Sequence, residues 1–314
     1  MKWVVFFAAL LFAGNLFAAG LPVQERKLES KNAQVEISVA WPRTGNAAID
    51  AQLGQWAKQQ ADDYRNVSAD DVGSGSPWSL DIDYEIPRND GKLFSVVFGI
   101  YSYAGGAHPN HNSVAFNFLL PEGAQIDIEQ VIDGRKGLQR LSALTIAKLR
   151  RALLPDELSM PEMIQSGAGP EWGNFQTFVL LSGKLKILFD PYAVGPYSSG
   201  PQEVEFPLSA LKDILRTNLR TPVPSFDCGK AGTPIEHAIC ANTGLAQLDT
   251  RMARAYRLRS TSGDPDNDAR VRKDQRAFIS NRNTRCGAQQ GAALERCLTG
   301  LYQARLAELD RGLW

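Results

Sequence analysis

Hydrophobic and polar residues alternate with a period of two along much of the N-terminal two thirds of the chain, a pattern typical of strands that bury one face. The clearest stretches are 35–41 and 78–86, each followed by a proline that predicts the end of the strand. Two more, 93–103 and 112–120, flank a short loop and predict a hairpin. The alternation therefore predicts a sheet that is antiparallel and half-buried.

Apolar residues that recur at every third or fourth position predict helices packed on this sheet. The predicted helices are 46–64, with Asn46 as N-cap, 138–154 and 208–219, and the remaining predicted strands are 175–181, 184–189 and 204–206. The connection 156–173 is predicted to be irregular and anchored only by Met160 and Met163. This part of the chain is therefore predicted to be an α+β domain, an antiparallel sheet packed with helices.

The C-terminal part changes to a composition rich in Ala, Arg, Leu and Gln, which favours helices. Thr233-Pro-Ile-Glu236 combines an N-cap, a proline at the first helical position and a glutamate three residues after the cap, so a helix should begin at Pro234 and its spacing continues to Arg259. Two further helices are predicted over 268–285 and 292–309. Val271, Gln275, Phe278 and Ile279 are the positions of the middle helix predicted to face inward. The prediction is a small all-α domain.

Residues 1–19 combine Lys2, an apolar run and small residues around Ala18, which predicts a signal peptide cleaved on export. The mature chain is then expected to be periplasmic or secreted, with no membrane segment. Two prolines at 221–225 predict a linker between an α+β domain, 20–220, and a helical domain, 226–314.

The formal net charge is zero, but it is divided unevenly between the two predicted domains. Positions 19–224 contain 19 basic and 24 acidic residues, and positions 225–314 contain 14 basic and 10 acidic residues. A solvated surface with chance asymmetry is one interpretation. The other is that each half meets a partner of opposite charge. Nucleic acid is not expected to be a partner.

All four cysteines lie in the helical domain, at Cys228, Cys240, Cys286 and Cys297, and an even number in an exported chain predicts disulfides. If the first two helices are antiparallel, Cys240 near the start of one lies beside Cys286 at the end of the other, which favours Cys240–Cys286 and Cys228–Cys297. A zinc site is the competing interpretation, but neither pair has C-x-x-C spacing.

The hairpin loop between the two alternating runs contains small residues with unusual backbone freedom. Gly105 and Gly106 permit φ > 0, and Pro109 restrains His108 toward an extended conformation, so we expect a loop of fixed shape. Gly105-Gly-Ala-His-Pro-Asn110 after a Tyr-rich strand resembles the signature of an extracytoplasmic domain family found in RsiV-type anti-sigma factors that sense lysozyme and in PdaC-type peptidoglycan deacetylases. Phe189-Asp-Pro-Tyr192 with Tyr197 resembles the C-terminal end of the same family.

The helical domain resembles the LprI-type lysozyme-inhibitor family over nearly the whole of 225–310. The matching residues are Phe226-Asp-Cys228-Gly-Lys-Ala231, Thr233-Pro-Ile-Glu236-His-Ala-Ile-Cys240, Leu248-Asp249, Tyr256, Gln275, Arg282, Cys286, Cys297-Leu298, Tyr302 and Arg305. The sequence departs from the family pattern at Phe278, where Trp is usual, and at Asn283, where Asp is usual. The four-cysteine frame is the most specific part of this resemblance.

The sequence contains no G-x-S-x-G, H-E-x-x-H or P-loop motif, and His108 and His111 alone do not make a metal site. Asp81, Asp83 and Glu85 share one strand face, an arrangement that is common on wet strands. In the deacetylases that this chain resembles, the catalytic residues belong to a separate domain. We therefore expect a binding protein that needs no cofactor, not an enzyme.

The two resemblances together imply a protein that binds, and inhibits, a lysozyme-type muramidase. The predicted binding residues are Tyr101, Tyr103, Gly105, Gly106, His108, Asn110, Tyr192 and Tyr197, chosen because tyrosine combines buried area with a polar tip. Core packing is the alternative role for each tyrosine. The alternative function is a module that binds peptidoglycan, or an accessory to a hydrolase or deacetylase acting on the cell wall.

Overall fold

The computed structural model describes residues 20–65, 76–153, 160–220, 224–260 and 265–310. Its larger sheet has six strands that lie side by side in sequence order. They are β1 Gln24–Lys31, β2 Val35–Arg43, β3 Trp78–Asn89, β4 Leu93–Tyr103, β5 Asn110–Leu119 and β6 Ala124–Gln125. Helix α1, Ala47–Arg65, connects β2 to β3, and these two strands are parallel, whereas the other neighbours are antiparallel. The predicted α+β class is confirmed, with one parallel pair that the pattern did not indicate.

One face of the sheet packs against α1 because the alternating apolar residues of the strands meet the apolar stripe of the helix. The buried members include Ile49, Leu53, Ala57 and Ala61 of α1 and Val35, Ile37, Val39, Ile82, Phe94, Phe98 and Phe118 of the strands. The predicted N-cap is confirmed, since Asn46 Oδ1 accepts hydrogen bonds from the backbone N–H groups of Ala48 and Ile49.

A second layer covers part of the other face of the sheet. It contains helices α2 Ile128–Val131, α3 Gly134–Leu153 and α4 Pro161–Gly167, and a three-stranded antiparallel sheet of β7 Phe178–Leu181, β8 Lys184–Phe189 and β9 Gln202–Pro207. Asn117, buried on β5, joins the two sheets. Its Nδ2 donates to Phe178 O at 2.8 Å and its Oδ1 accepts from the N–H of Leu180 at 3.2 Å.

The C-terminal part is helical, as predicted, but its described residues form four α-helices where three were expected. They are α5 Pro234–Ala241, α6 Thr243–Arg259, α7 Pro265–Cys286 and α8 Gly291–Asp310. The capping box at Thr233 and Glu236 is confirmed. Asn242 ends α5 and caps α6, its Oδ1 accepting from the N–H of Leu245, so the expected long first helix is two helices. Ile279 is 40% exposed rather than inward, because it lies about 80° around the helix from Val271.

Two disulfides form in the helical region, but the favoured pairing was wrong. The structure links Cys228 to Cys240 and Cys286 to Cys297, with Cα atoms 5.9 and 5.8 Å apart. The prediction placed Cys240 near the start of a long helix, whereas Cys240 lies near the end of the short α5. Each disulfide therefore closes a local turn, one onto the 3₁₀ turn Cys228–Lys230 and the other across the α7–α8 connection.

Helix α6 joins the helical region to the α+β region through ion pairs. Arg254 Nη1 lies 2.8 Å from Asp127 Oδ1, and Arg257 pairs with Glu129 at the start of α2. Asp127 and Glu129 are buried, so each needs its guanidinium partner to offset the loss of hydration. Arg254 also lies over the ring of Phe116, 6.0 Å from its centroid. The two regions are therefore held together by more than the linker.

The structure corrects several boundaries. Strand β1 was not predicted because Leu28 is its only large apolar residue and the strand forms the edge of the sheet. Pro42 and Pro87 do not end their strands: β2 continues to Arg43 where it has only β1 beside it, and β3 passes Pro87 at a bulge.

Two further predictions, one of an irregular connection and one of a helix, are corrected. The connection 156–173 contains α4 in its described part, and its anchor is the fully buried Ile164, whereas Met160 is 42% exposed. The helix predicted over 208–219 is only the 3₁₀ turn Leu208–Leu211. The predicted signal peptide 1–19 and linker positions 221–223 lie outside the described residues, and the predicted domain boundaries stay predictions.

Candidate functional site

The hairpin loop between β4 and β5 has the restrained backbone that the sequence predicts. Gly105 and Gly106 have φ of +82° and +99°, a region that residues with a Cβ avoid. The Tyr103 hydroxyl donates to Gly106 O at 3.2 Å, and His108 Nδ1 lies 2.9 Å from Pro109 O. The loop is therefore held by its own contacts while His108 remains exposed.

The segment 190–200 brings two more of the predicted residues to this loop. The ring of Tyr197 stacks on that of His108, with centroids 4.0 Å apart, and its hydroxyl donates to Pro109 O at 2.9 Å. Tyr192 lies beside both, its ring centroid 5.4 Å from that of Tyr197 and its Oη 3.5 Å from His108 Nε2. We call His108, Tyr192 and Tyr197 the aromatic cluster.

The other predicted residues lie around this cluster rather than in it. Tyr101 lies on β4 and meets His111 of β5 edge-on, with ring centroids 4.9 Å apart. Tyr101 is 40% exposed, and Asn110, the first residue of β5, is also exposed. The predicted residues thus share one end of the larger sheet, and their binding role stays a prediction.

Tyr192 has a backbone conformation that is unusual for its side chain. Its φ is +68°, it is the one residue other than glycine with positive φ in the described ranges, and its side chain is 54% exposed. A bulky residue at positive φ costs of order 1 kcal/mol, and an exposed ring recovers little of that by burial. Such a residue is a candidate for function, because local stability does not favour it.

An acidic surface extends from the aromatic residues across the open face of the larger sheet. The strand register places Glu29, Ser38, Asp81, Tyr101 and His111 in one row across five strands. On β1, β2 and β3 this face presents six exposed carboxylates, from Glu25, Glu29, Glu36, Asp81, Asp83 and Glu85. Lys27 and Lys31 offset two of them through ion pairs with Glu29 and Glu36. We call these six residues the acidic face.

Sequence reasoning found only half of the acidic face. The alternation in β3 showed that Asp81, Asp83 and Glu85 share a side, but the contribution of β1 was missed because that strand was not predicted. Its alternating charges, Glu25, Lys27, Glu29 and Lys31, are the signal that could have indicated an edge strand.

Several of the residues that carry the LprI resemblance form a network in the core of the helical region, whereas those around Cys228 and Thr233 are exposed. Asp249 is buried and its Oδ1 accepts a hydrogen bond from the Tyr302 hydroxyl at 2.8 Å, while Arg282 Nη1 donates to the same hydroxyl at 2.8 Å. Burial and the neighbouring Asp249 carboxylate raise the pKa of Tyr302. Arg305 Nε donates to Gln275 Oε1 at 3.1 Å in the same core. These residues specify the fold rather than a contact surface.

Nothing in the described ranges provides three or more His, Cys, Asp or Glu side chains grouped to hold a metal ion. In the same ranges, no helix has the length and apolarity that crossing a membrane requires.

The turn that positions Tyr192 begins at Asp190, whose Oδ1 accepts the N–H of Ser113 on β5 at 2.7 Å. Burial raises the pKa of Asp190 to about 6. Between pH 3.8, the ordinary pKa of the group, and pH 6, the folded chain holds a proton that the unfolded chain has lost. The contribution of protonated Asp190 to the free energy of unfolding is therefore complete at low pH and is lost as pH rises through 6.

Replacing Asp190 by Asn removes this titration and keeps an oxygen that can accept from Ser113. As the pH rises from 4 to 7, we expect the free energy of unfolding of Asp190→Asn to gain about 2 kcal/mol relative to that of the parent chain. Urea unfolding at both pH values measures the difference, with Asp213→Asn as an exposed control. A difference that does not change with pH would contradict the assigned titration.

The restrained loop gives a second prediction. Adding a branched side chain by Gly106→Val strains the positive φ and should lower the free energy of unfolding by about 1–3 kcal/mol. His108→Ala should lower it by less than about 1 kcal/mol, because His108 is exposed and loses its stack on Tyr197 and two solvent-exposed contacts, with Pro109 O and the Tyr192 hydroxyl. Thermal unfolding of both variants measures the contrast. If His108→Ala costs more than Gly106→Val, the histidine is a structural residue.

Three family models match successive segments of the chain. The model described as "Deacetylase PdaC" matches residues 27–111, "Protein of unknown function (DUF3298)" matches 131–209, and "Lysozyme inhibitor LprI" matches 227–309. The two resemblances inferred from the sequence are therefore confirmed. The PdaC segment includes β1 to β4 and the hairpin loop, and the LprI segment covers the four cysteines.

Among individual proteins, the chain is similar to peptidoglycan-N-acetylmuramic acid deacetylase PdaC of Bacillus subtilis (strain 168), with 25% identity over 182 residues. The match covers 57% of this chain and 38% of that protein. Two crystal structures of DUF3298 family proteins also match. The one from Pseudomonas aeruginosa PAO1 has 17% identity and a TM-score of 0.47, covering 65% of this chain and 98% of the other. The one from Bacteroides fragilis NCTC 9343 has 15% identity and a TM-score of 0.43, covering 64% and 96%.

Proposed function

We propose that this protein acts outside the cytoplasm, in the periplasm or after secretion, as a binder and inhibitor of a lysozyme-type muramidase. The observation that carries the proposal is the match of 227–309 to the lysozyme inhibitor family, across a helical region closed by two disulfides. Disulfides are typical of extracytoplasmic proteins. The segment related to a peptidoglycan deacetylase is consistent with a role at the cell wall.

The acidic face is the surface that we propose to meet the muramidase first. Lysozymes as a class tend to be cationic, so six carboxylates on one open sheet face attract them and increase the association rate. The helical region has the opposite net charge, with 14 basic and 10 acidic residues in 225–314, and repels such a partner. Long-range attraction therefore favours the α+β region.

The aromatic cluster supplies the short-range contact in this proposal. Tyr192 of this cluster is exposed beside the hairpin loop, and the neighbouring Tyr101 is exposed beside the acidic face. Tyrosine is enriched among the residues that dominate binding energy. The loop backbone is already restrained, so little conformational entropy is lost on binding. A rigid aromatic patch beside a charged surface favours binding to a protein.

Charge reversal in the full chain tests the first step. The double change Asp81→Lys and Asp83→Lys should slow association with immobilised lysozyme at least tenfold at low salt. The difference should shrink at physiological salt, where the Debye length is about 8 Å. Glu162→Lys, on the exposed α4, is the matched control. The full chain is preferable to separate halves because separation would expose Asp127 and Glu129 without their arginine partners.

The strained Tyr192 tests the second step. Tyr192→Gly relieves the positive φ, so its free energy of unfolding should be equal to or slightly above that of the parent chain, while its lysozyme affinity should fall at least tenfold. Calorimetric titration and thermal unfolding measure the two quantities. Unchanged affinity would exclude the aromatic cluster from the interface, and binding by neither parent nor variants would overturn the proposed function.

A second candidate function rests on the relation to the Bacillus subtilis deacetylase. In this alternative the chain is a module that binds peptidoglycan or assists an enzyme acting on it. Two results obtained without lysozyme would favour this alternative. The chain would either turn over purified murein or sediment together with murein in a pelleting assay.

A further inference from the structure

A groove lies at the end of the larger sheet opposite to the hairpin loop. Its volume is about 300 Å³, and it is formed by Arg26 of β1, Trp41 and Arg43 of β2, and Asp50, Gly54 and Lys58 of α1. Arg26 and Trp41 are directly opposite in the register of β1 and β2, and both face α1. Asp50, Gly54 and Lys58 are four residues apart and therefore share one stripe of the helix.

The groove is cationic, although the region that contains it has more acidic than basic residues. Its one carboxylate, Asp50, is already occupied: Oδ1 accepts from the N–H and hydroxyl of Thr44 at 2.6 and 2.8 Å. Arg43 Nε lies 3.9 Å from that carboxylate. In the described part of the chain, Arg26 and Lys58 have no ion pair and no side-chain hydrogen bond. Two exposed cations thus converge without a partner.

Trp41 provides an aromatic wall between these cations. It is half-buried, with one side packed on the sheet core. Gly54 lies next to the indole of Trp41, and a Cβ at this position would be 3.7 Å from Trp41 Nε1. Because glycine has no side chain, the approach to the indole stays open. The groove therefore combines an apolar surface with three cationic side chains that only donate hydrogen bonds, beside the one carboxylate of Asp50.

The size of the groove favours an organic anion over a small inorganic ion. A volume of about 300 Å³ is that of roughly ten water molecules, several times the space that one inorganic anion takes up. It lies at the lower end of the range for small-molecule sites. A ring that bears hydrogen-bond acceptors and a carboxylate would accept hydrogen bonds from Arg26, Arg43 and Lys58. The apolar C–H side of the same ring would pack on Trp41.

We propose that this groove binds an acidic saccharide, a sugar ring that bears a carboxylate. The carboxylate lies between Arg26 and Lys58, with Arg43 beside it, and the ring packs against Trp41. This site goes beyond muramidase binding and does not depend on it, because it lies at the other end of the sheet from the aromatic cluster.

Matched sugars test the proposal on the full chain. N-acetylmuramic acid carries a lactyl carboxylate that N-acetylglucosamine lacks, so the two probes differ mainly in that group. We expect N-acetylmuramic acid to shift the indole N–H signal of Trp41 in ¹⁵N-labelled protein, with an affinity at least tenfold above that of N-acetylglucosamine or inorganic phosphate. Loss of the signal in Trp41→Phe assigns it.

The double variant Arg26→Gln and Lys58→Gln should weaken the binding of N-acetylmuramic acid at least tenfold and should not weaken lysozyme binding. Lys31→Gln, on the same strand as Arg26 but outside the groove, is the control. Equal binding of the two sugars, equal binding of phosphate, or full retention in the double variant would each overturn the proposal. Loss of lysozyme binding in the double variant would also overturn the independence of the two sites.

Discussion

We expect Asp249→Ala to unfold the helical region at temperatures where the parent chain remains folded. Asp249 accepts three hydrogen bonds, from the N–H and hydroxyl of Ser225 and from the hydroxyl of Tyr302. Its removal leaves the buried Tyr302 hydroxyl, to which Arg282 donates, without the carboxylate that accepts its proton. Loss of one member of a buried charged network costs about 3–5 kcal/mol.

Urea unfolding followed by circular dichroism at 222 nm measures this loss, since α5 to α8 contribute much of the helical signal. Glu295→Ala is the matched control, because it removes an exposed carboxylate from the same region. Tyr302→Phe should have a smaller effect, about 1–3 kcal/mol, because it removes the hydroxyl and leaves the ring in the core. Equal stability of Asp249→Ala and Glu295→Ala would contradict a structural role for the network.

Removing the Cys286–Cys297 disulfide by replacing both residues with Ala should lower the free energy of unfolding by about 3 kcal/mol. The disulfide closes a loop with a sequence separation of 11, and constraint of the unfolded chain accounts for a stabilisation of that size. Cys286 is fully buried, so its replacement also leaves the α7–α8 connection less well packed. Cys228→Ala with Cys240→Ala should cost less, because Cys228 is exposed.

Non-reducing peptide mapping checks the pairing on which this prediction depends. We expect one disulfide between Cys228 and Cys240 and one between Cys286 and Cys297. A Cys240–Cys286 linkage would contradict it. So would an unchanged stability of the Cys286 and Cys297 double variant.

The sequence was sufficient where local chemistry decides the structure. Alternation located β3 to β5, the capping box located the start of α5, and the glycine pair predicted the positive φ values of the hairpin loop. Each of these depends on residues a few positions apart. The α+β and all-α classes followed from the same signals.

The sequence was insufficient where distant segments decide the structure. The disulfide pairing depends on the break at Asn242, which ends α5 before a long helix can form. The contact between His108 and Tyr197 joins positions 89 residues apart, and the groove joins β1, β2 and α1. Strand β1 has too few apolar residues to show a buried face, so its share of the acidic face and of the groove could not be predicted.

Inhibition of lysozyme by the intact chain tests the central proposal most directly. Turnover of bacterial cell walls by a lysozyme at fixed concentration should fall as purified chain is added and reach a minimum near one chain per enzyme. The Asp81→Lys and Asp83→Lys variant should require at least tenfold more protein at low salt for the same effect, and Glu162→Lys should behave like the parent chain. Undiminished turnover in the presence of a large excess of folded chain would contradict the proposed function.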